Sequence, residues 1–568
     1  MKNAFWTFFL GALMLMESSA IQISSESNGG ALLSEERSSF IAGNAQKALR
    51  NSLDAGPLTV DKIHELVRSQ QIAQLCHLHQ FFSNVEGGKP FTQEELRDKS
   101  FREWLSCHPE VFKMLAHSGS AGRNTLSVFY KIWNTGNKQL NPLEISMALG
   151  AGLAADNFTI DECIAKFNFY HDAHHHRKCY PQADTLQPWE WAIIFRGKES
   201  IEDLTWAQQF IEGKNIKPEQ AGGKFTGFIP YRMKNHKGVS VHAGGAFYDN
   251  KPITLKLYTE YGGVCGAVSK GAAGFLRSKG VPAYPIGQPG HCAFVWKHPN
   301  GHWQIGNNIG GWNWANGGAQ IPWGGPIQLL TTYDAFIHHP NAEDSALMYY
   351  LSFCTQKPEH AELLLQEARE TNPFNYPAWL RYLDIKAKTA NDQKKLSLLK
   401  ELAQAVPNEH NLIWHVAKNV LKIREKRVNP YELYSCVLGP DCTPQAEELF
   451  TRLVWKKLIT DCPEIREIAE YKEGFTGKHL YVWVNKSKYI KWTPKMKNQS
   501  AKMLQKSILS LQEQKATRSR YMEAYQSLLK IWDDKKLSKD AEDFMKNKLS
   551  GSHPDLINSF NKISNAIN

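Results

Sequence analysis

A cysteine at the start of a predicted helix is the residue of this sequence best placed to do chemistry. Cys265 directly follows Gly262-Gly263-Val264, and the apolar spacing after it predicts a helix that ends at Gly280. A thiol in the first turn of a helix lies at the positive end of the helix dipole, which favours the thiolate. The Cys265 N–H would have no acceptor within that helix and is free to face an oxyanion. A lone cysteine is more often a small buried apolar residue, so neighbouring residues must decide its role.

The chain after this helix supplies a base and a group to orient it. His291 begins a predicted strand, a hairpin turn follows at 299–301, and the return strand carries Asn307 and Asn308. His291 and Asn307 should therefore lie close together across an antiparallel pair, with Asn308 as the alternative third residue. A thiol nucleophile needs a base within hydrogen-bond reach, and the imidazole needs an orienting partner. The pattern predicts a triad of Cys265, His291 and Asn307.

Residues 260–308 resemble the transglutaminase-like superfamily, in which Cys, His and Asp or Asn are arranged as in papain. The resemblance covers about a tenth of the chain. Its motifs, in order, are Gly263-Val264-Cys265, Leu276-Arg277-Ser278-Lys279-Gly280-Val281-Pro282, Gly290-His291, and Trp303 with Asn307 four positions later. Two departures stand out: the third residue is Asn307 where most members have Asp, and Cys292-Ala293-Phe294-Val295 replaces the usual aromatic and acidic residues after the histidine.

The resemblance implies an α+β fold, with a papain-like catalytic domain at 159–335 flanked by α-helical domains. It also implies acyl transfer at amide bonds of proteins or peptides through a thioacyl intermediate on Cys265. We expect hydrolysis, as by a cysteine peptidase or amidase, because no dedicated amine site is visible in the sequence. The alternatives are a cross-linking transglutaminase that accepts an amine, and a catalytically silent binding module. No cofactor and no metal ion is predicted.

Helical periodicity predicts the flanking domains. The chain has 568 residues, enough for three or four domains. Residues 21–158 show helix caps at Thr59 and Thr92 and a helix start at Pro142. In the domain 336–470 an apolar pattern repeats at an offset of 34 residues, the period of a tetratricopeptide-like helix pair, although an ordinary helical domain fits equally well. The repeated residues are Leu364, Leu365 and Pro373, followed by Leu398, Leu399 and Pro407.

Three smaller features have both a functional and a packing interpretation. His171, His174 and His175 have the spacing of metal ligands on one helix face, but a histidine run in polar surroundings is more often solvated. Cys292 should alternate to the strand face opposite His291 and serve in packing. The tryptophans after Asn307 are interpreted as a wall of the substrate cleft, with a core position as the alternative; they are Trp312, Trp314 and Trp323.

The amino terminus predicts export. Lys2 precedes an apolar run from Phe5 to Met16, and Ser18-Ser19-Ala20 supplies small residues for cleavage. This is the pattern of a signal peptide at 1–20, so the mature protein should be periplasmic or secreted, with an uncleaved anchor as the alternative. The ten cysteines suit an oxidising compartment without forming a dense disulfide framework. Candidate pairs, none of which the sequence fixes, are Cys163 with Cys179, Cys436 with Cys442, and Cys76 with Cys107.

Charge is concentrated at the carboxyl end. The chain carries a net +11, of which residues 471–568 contribute +10 from 19 Lys+Arg and 9 Asp+Glu. Lysines between 486 and 497 alternate with Tyr489 and Trp492, next to a predicted strand pair at 479–492. This basic C-terminal region suggests contact with an anionic surface, although a solvated helical domain is the simpler interpretation. No nucleic-acid-binding motif accompanies it, so no nucleic-acid partner is expected.

Overall fold

Helices make up most of the described residues, and a three-stranded antiparallel sheet followed by a short strand pair lies in the middle of the chain. The computed structural model describes residues 36–86, 95, 98–119, 124–136, 138–288, 291–308, 319–439, 444–461, 484, 487–488, 492–511 and 515–549. The predicted signal peptide, the cap at Thr92 and most of the strand pair at 479–492 lie outside these residues. The fold is mixed α+β, as the sequence predicts, with helices on both sides of the sheet. Among the described residues no helix combines the length and the apolar character needed to cross a bilayer.

Helices alone form the amino-terminal part. Thr59 caps the second of them by accepting the Lys62 N–H at 3.3 Å, and Pro142 begins the seventh, so both predictions are confirmed. The seventh has a capping box in which Asn141 and Glu144 bond each other's backbone N–H. These helices are α1 (Glu36–Asp54), α2 (Val60–Arg68), α3 (Gln70–Glu86), α4 (Lys99–Cys107), α5 (Pro109–Ser118), α6 (Thr125–Thr135) and α7 (Pro142–Leu153).

The predicted boundary between residues 158 and 159 falls inside one hydrophobic core. Val128 of the amino-terminal helices and Phe195 of the next region are both fully buried in it. The helices of this next region are α8 (Ile160–His175), α9 (Pro188–Phe195), α10 (Ile201–Ile211), α11 (Ala221–Thr226), α12 (Leu255–Tyr261) and α13 (Cys265–Ser278).

A three-stranded antiparallel sheet follows α13, in the order β1 (Ala283–Gln288), β2 (His291–Lys297) and β3 (Trp303–Gly306). The predicted hairpin is confirmed. Helix α13 packs against β1 and β2. Alternate residues of β2 enter different cores, because successive side chains of a strand point to opposite faces. Phe294 and Trp296 join the core of α13, whereas Ala293 and Val295 join the core on the other side. A short pair, β4 (Gln320–Ile321) and β5 (Gly325–Pro326), follows.

The helices after the sheet show the predicted 34-residue offset. The second helix pair begins 34 residues after the first, at Asp392 after Pro358 and at His410 after Tyr376, and Pro444 begins another helix 34 residues after His410. These helices are α14 (Leu330–Ile337), α15 (Ala342–Leu351), α16 (Pro358–Thr371), α17 (Tyr376–Ala387), α18 (Asp392–Ala405), α19 (His410–His415), α20 (Pro430–Ser435) and α21 (Pro444–Asp461). The repeated leucines are buried.

The carboxyl-terminal helices pack onto this array. They are α22 (Pro494–Ser510), α23 (Lys515–Trp532) and α24 (Lys535–Leu549). Leu504 and Tyr525 belong to the same buried cluster as Leu399 of the array. Trp492 packs edge-to-face against Trp532 with ring centroids 5.2 Å apart, so this aromatic residue serves in packing.

Candidate functional site

Cys265 is the first residue of α13, as the sequence predicts, and it is half-buried. The loop before it is rigid. Gly263 has a φ of 151°, and a Cβ there would meet the side chains of Ala267 and Tyr248, so only glycine fits. The Gly263 N–H donates to the Pro230 carbonyl at 3.0 Å, and its carbonyl accepts the Arg232 N–H at 2.9 Å. Backbone pairing therefore fixes the approach to the thiol.

The first turn of α13 leaves two N–H groups beside the thiol. The Val264 carbonyl accepts the N–H groups of Ala267 and Val268 at 2.9 and 3.2 Å. The N–H groups of Cys265 and Gly266 have no acceptor among the described residues, which confirms the expectation for Cys265. A Cβ at Gly266 would meet no atom within 4 Å. Free donors next to open space are what an oxyanion requires.

His291 is held by a main-chain carbonyl. Its Nε2 donates to the Asn307 carbonyl oxygen at 2.6 Å. A carbonyl can only accept, so the proton lies on Nε2, and Nδ1 carries the lone pair of a base. The ring is half-buried, at the first residue of β2. The main-chain carbonyl of Asn307 therefore fixes the tautomer in which Nε2 carries the proton and Nδ1 can act as a base.

Asn307 orients the imidazole in a way the sequence did not predict. Its side-chain Nδ2 donates to Ser269 Oγ at 2.9 Å and to the Cys292 carbonyl at 3.1 Å, and does not contact the ring. The reason is that β3 ends at Gly306 and Asn307 turns away with a φ of 51°, a left-handed conformation that asparagine tolerates. The alternative, Asn308, accepts a hydrogen bond from Gln288 Nε2 at 2.7 Å.

Ser269 is a site residue that the sequence analysis missed. It lies one turn after Cys265 on α13 and is fully buried. Its hydroxyl donates to the Cys292 carbonyl at 2.7 Å and accepts from Asn307 Nδ2. A serine four residues after the cysteine, within an apolar helix face, was the available signal. Ser269 therefore connects α13, which carries the Cys265 thiol, to β2 and to the turn at Asn307, which hold the His291 imidazole.

Cys292 lies on the α13 side of β2, a side that strand alternation alone does not determine. It alternates with His291, as predicted, but it shares the strand face of Phe294 and Trp296, which packs on α13. Burial raises the pKa of the Cys292 thiol, and the nearby Cys265 thiol raises it further. Among the described residues no hydrogen bond joins the Cys265 sulfur to the His291 ring. The two residues are connected instead through Asn307 and Ser269.

A buried ion pair fixes the far end of α13. Arg277 donates from Nε to Glu199 at 3.0 Å and from Nη1 to the Ala283 carbonyl at 2.7 Å, where β1 begins. Burial works against the charge of Arg277, but Glu199 outweighs it, so the pKa of the guanidinium is raised. The arginine of the Leu276-Arg277 motif thus joins α13 to β1.

The histidine run at 171–175 and the tryptophans after Asn307 are the other features that the sequence analysis singles out. His171 Nε2 lies 3.1 Å from both Glu144 Oε1 and His175 Nε2, whereas His174 pairs separately with Asp184 at 2.6 Å. Trp323 is half-buried and packs among Tyr333, Phe336 and Tyr350, which favours the core alternative for it. Trp312 and Trp314 lie outside the described residues.

The predicted disulfides are not formed among the described residues. All eight cysteines there are unpaired, including both members of the pairs Cys163 with Cys179 and Cys76 with Cys107. Cys442 lies outside the described residues. Cys163 and Cys76 are almost completely buried in separate cores, where they serve as small apolar residues.

Comparisons with family models, with curated proteins and with solved structures find no match to this chain. The residues around Cys265 must therefore carry any functional conclusion by themselves. They present a half-buried thiol, two free backbone donors and an imidazole with a fixed tautomer.

Proposed function

We propose that this protein is a thiol-dependent acyl-transfer enzyme that hydrolyses amide bonds in proteins or peptides. One observation carries the proposal. The hydrogen bonds from His291 to Asn307 and from Asn307 to Ser269 end on α13, one turn from Cys265. These hydrogen bonds therefore connect the His291 imidazole, whose tautomer is fixed, to α13, the helix that begins with the Cys265 thiol.

The reaction begins when His291 Nδ1 removes the thiol proton and the sulfur of Cys265 attacks the substrate carbonyl. The N–H groups of Cys265 and Gly266 donate to the oxyanion. The tetrahedral intermediate collapses to a thioester, and His291 gives its proton to the departing amine. Water then attacks the thioester with His291 again as base, and the carboxylic acid and free thiol are released.

The hydrogen bond between thiol and imidazole forms in the substrate complex in this scheme. Catalytic hydrogen bonds are often long or unformed in a free enzyme and tighten once substrate is bound. The His291 ring must then approach Cys265 while its Nε2 stays bonded to the Asn307 carbonyl, since that bond fixes the tautomer that the scheme requires. An amine in place of water would give the transglutaminase reaction at the same residues.

A catalytically silent binding module is the second candidate. It is favoured by the observation that the described imidazole forms no hydrogen bond with the sulfur of Cys265 or with the side chain of Asn307. In that case the Ser269–Asn307–Cys292 network is a structural clamp, and the half-buried thiol has no chemical role.

Alkylation separates the two candidates. A limiting amount of iodoacetamide, followed by peptide mapping, should label Cys265 first in the wild type, and His291→Ala should slow this labelling because the base is lost. Cys292→Ala is the matched control and should leave the Cys265 labelling rate unchanged. If Cys265 reacts no faster than the exposed Cys107, or if His291→Ala has no effect, the binding module is the better conclusion.

The arrangement of a cysteine helix on an antiparallel sheet supports a papain-like catalytic domain as part of this proposal. The signal-peptide pattern at residues 1–20 supports action outside the cytoplasm, in the periplasm or the medium. Amino-terminal sequencing of the mature protein tests this directly, since an intact Met1 on a cytosolic protein would contradict it.

A further inference from the structure

Two histidines and a glutamate converge at a second place, where three helices meet. His77 is on α3, His117 on α5 and Glu343 on α15, and their ligand atoms all lie within 4.8 Å of one another. His77 Nε2 is 3.1 Å from Glu343 Oε1, and His117 Nε2 is 3.2 Å from Oε2. The carboxylate thus lies between two imidazole rings from other parts of the chain.

The tautomer of His117 follows from its other ring nitrogen. The Tyr350 hydroxyl donates to the Ala116 carbonyl at 3.1 Å and accepts from Trp323 Nε1 at 3.0 Å. Its remaining lone pair accepts from His117 Nδ1 at 3.5 Å, so the His117 proton is assigned to Nδ1. His117 Nε2 then presents a lone pair to the Glu343 carboxylate, an arrangement that a cation between them would stabilise.

In each imidazole, the nitrogen that lies near Glu343 lacks a hydrogen bond of good geometry within the described part of the chain. These two atoms, the Nε2 of His77 and of His117, are buried and have no such bond there, although they lie 3.1 and 3.2 Å from the Glu343 carboxylate oxygens. His77 is only 6% exposed.

We propose that His77, His117 and Glu343 bind a divalent transition-metal ion of the Zn2+ class, with water as the fourth ligand. Two imidazoles and one carboxylate form a known Zn2+ ligand set. Metal–nitrogen and metal–oxygen bonds of about 2.0–2.2 Å at tetrahedral angles separate the ligand atoms by roughly 3.3–3.6 Å. His77 Nε2 and His117 Nε2 lie 3.1 and 3.2 Å from the two different oxygens of Glu343, and the three ligand atoms lie within 4.8 Å of one another, so small side-chain shifts would bring them around one ion. Tyr350, bonded to the outer nitrogen of His117, has the orienting role typical around metal ligands.

Lys113 would compete with a metal ion for the Glu343 carboxylate. Its Nζ lies 3.1 Å from Glu343 Oε2, and its side chain is 51% exposed. Because Lys113 is exposed, it can swing into solvent, and Glu343, at 39% exposure, gives an ion a path to the site. The alternative to a metal site is a permanent ion network in which Lys113 itself neutralises the carboxylate.

Metal binding to the full-length protein tests the proposal. Two exposed clusters that also bring histidines and carboxylates together are first disabled by His175→Ala and His302→Ala. After chelator treatment, this background protein is titrated with Zn2+ against a chromophoric chelator and with Co2+ by absorption spectroscopy. We expect one ion per chain and a Tm that rises with Zn2+ concentration. Loss of an outer partner typically weakens metal binding 10–100-fold, so His117→Gln or Glu343→Gln should weaken it by at least about 100-fold.

Lys113→Met is the deciding variant, because it changes an exposed residue and leaves the three ligands intact. The proposal predicts tighter Zn2+ binding, since the competing cation is gone, and the ion network predicts a lower Tm that Zn2+ does not restore. A background protein that binds no stoichiometric metal, or binding unchanged by both His117→Gln and Glu343→Gln, would overturn the proposal.

Discussion

At the scale of single residues, the account assigns His291 to chemistry and the side chain of Asn307 to structure. His291→Ala removes the base and should lower kcat/KM by about 10²–10⁴. Asn307→Gly keeps the carbonyl that binds Nε2 and permits the positive φ, so its loss should be clearly smaller. Steady-state kinetics on a common peptide substrate compares the two. Equal losses would show that the Asn307 side chain, rather than its carbonyl, orients the imidazole.

Ser269 provides a second test at this scale. Ser269→Ala removes two buried hydrogen bonds while Asn307 Nδ2 stays bonded to the Cys292 carbonyl, and each lost bond costs about 0.5–1.5 kcal/mol. Denaturant unfolding should show this loss of stability. Ser278→Ala is the matched control, because Ser278 is equally buried on α13 but bonds only the Phe275 carbonyl of its own helix. Ser269→Ala should cost more stability than Ser278→Ala, and the opposite order would contradict the clamp.

Part of this site follows from the sequence, and the rest depends on folded geometry. The helix of Cys265 and the hairpin could be predicted because local spacing determines both. The role of Asn307 could not, because its left-handed turn depends on where β3 ends. Gly306 pairs with Phe294 across the sheet, and only glycine fits there because a Cβ at residue 306 would overlap the Phe294 ring. Alternation predicts that His291 and Cys292 lie on opposite faces, but not which face meets α13.

At the scale of elements, the Arg277–Glu199 pair should decide whether α13 stays docked on β1. Arg277→Met leaves the Glu199 carboxylate buried without its partner, and breaking such a pair costs about 3–5 kcal/mol. Urea denaturation measures the loss. The double variant Arg277→Met with Glu199→Gln removes both charges and should recover part of the stability. A double variant less stable than Arg277→Met would contradict the role of the pair.

Helix α19 of the array carries a pH-sensitive residue, His410. Burial lowers its pKa from the ordinary value of 6.5, against the effect of its bond to the Asn408 carbonyl. The unfolded chain therefore binds more protons than the folded one below pH 6.5, so stability should fall as pH drops from 6.5 toward the folded pKa. The Tm of His410→Gln should fall less steeply than that of the wild type over this range. Parallel curves would show that His410 does not contribute.

At the scale of the whole molecule, the described helices of the basic C-terminal region, α22, α23 and α24, are an integral part of the fold. Leu504 and Tyr525 of these helices share a core with Leu399 of the array, so deleting the helices would expose array residues such as Leu399 rather than simply remove a tether. The positive charge of this region can be predicted from the sequence. Its packing cannot, because it depends on contacts between residues that are far apart in the chain. Surface substitutions are therefore the appropriate test of binding to an anionic surface.

Exposed lysines on α24 provide that test. Lys535, Lys536 and Lys539 are exposed, and changing all three to Gln should weaken binding to vesicles that contain anionic lipid. Such binding should also fall as salt rises, since exposed charges act within about 8 Å at physiological ionic strength. The matched control changes the exposed Lys214, Lys224 and Lys256 to Gln. If both triple variants bind alike, the C-terminal region is not the contact surface.

The most direct test of the central claim is product analysis of a peptide library by mass spectrometry, with and without an added amine. The wild type should cleave amide bonds, and cleavage should vanish in Cys265→Ala and fall strongly in His291→Ala. Cys292→Ala should remain active, because Cys292 is close to the nucleophile without a role in the reaction. Cleavage that survives Cys265→Ala, or a wild type that binds peptides without converting them, would contradict the account.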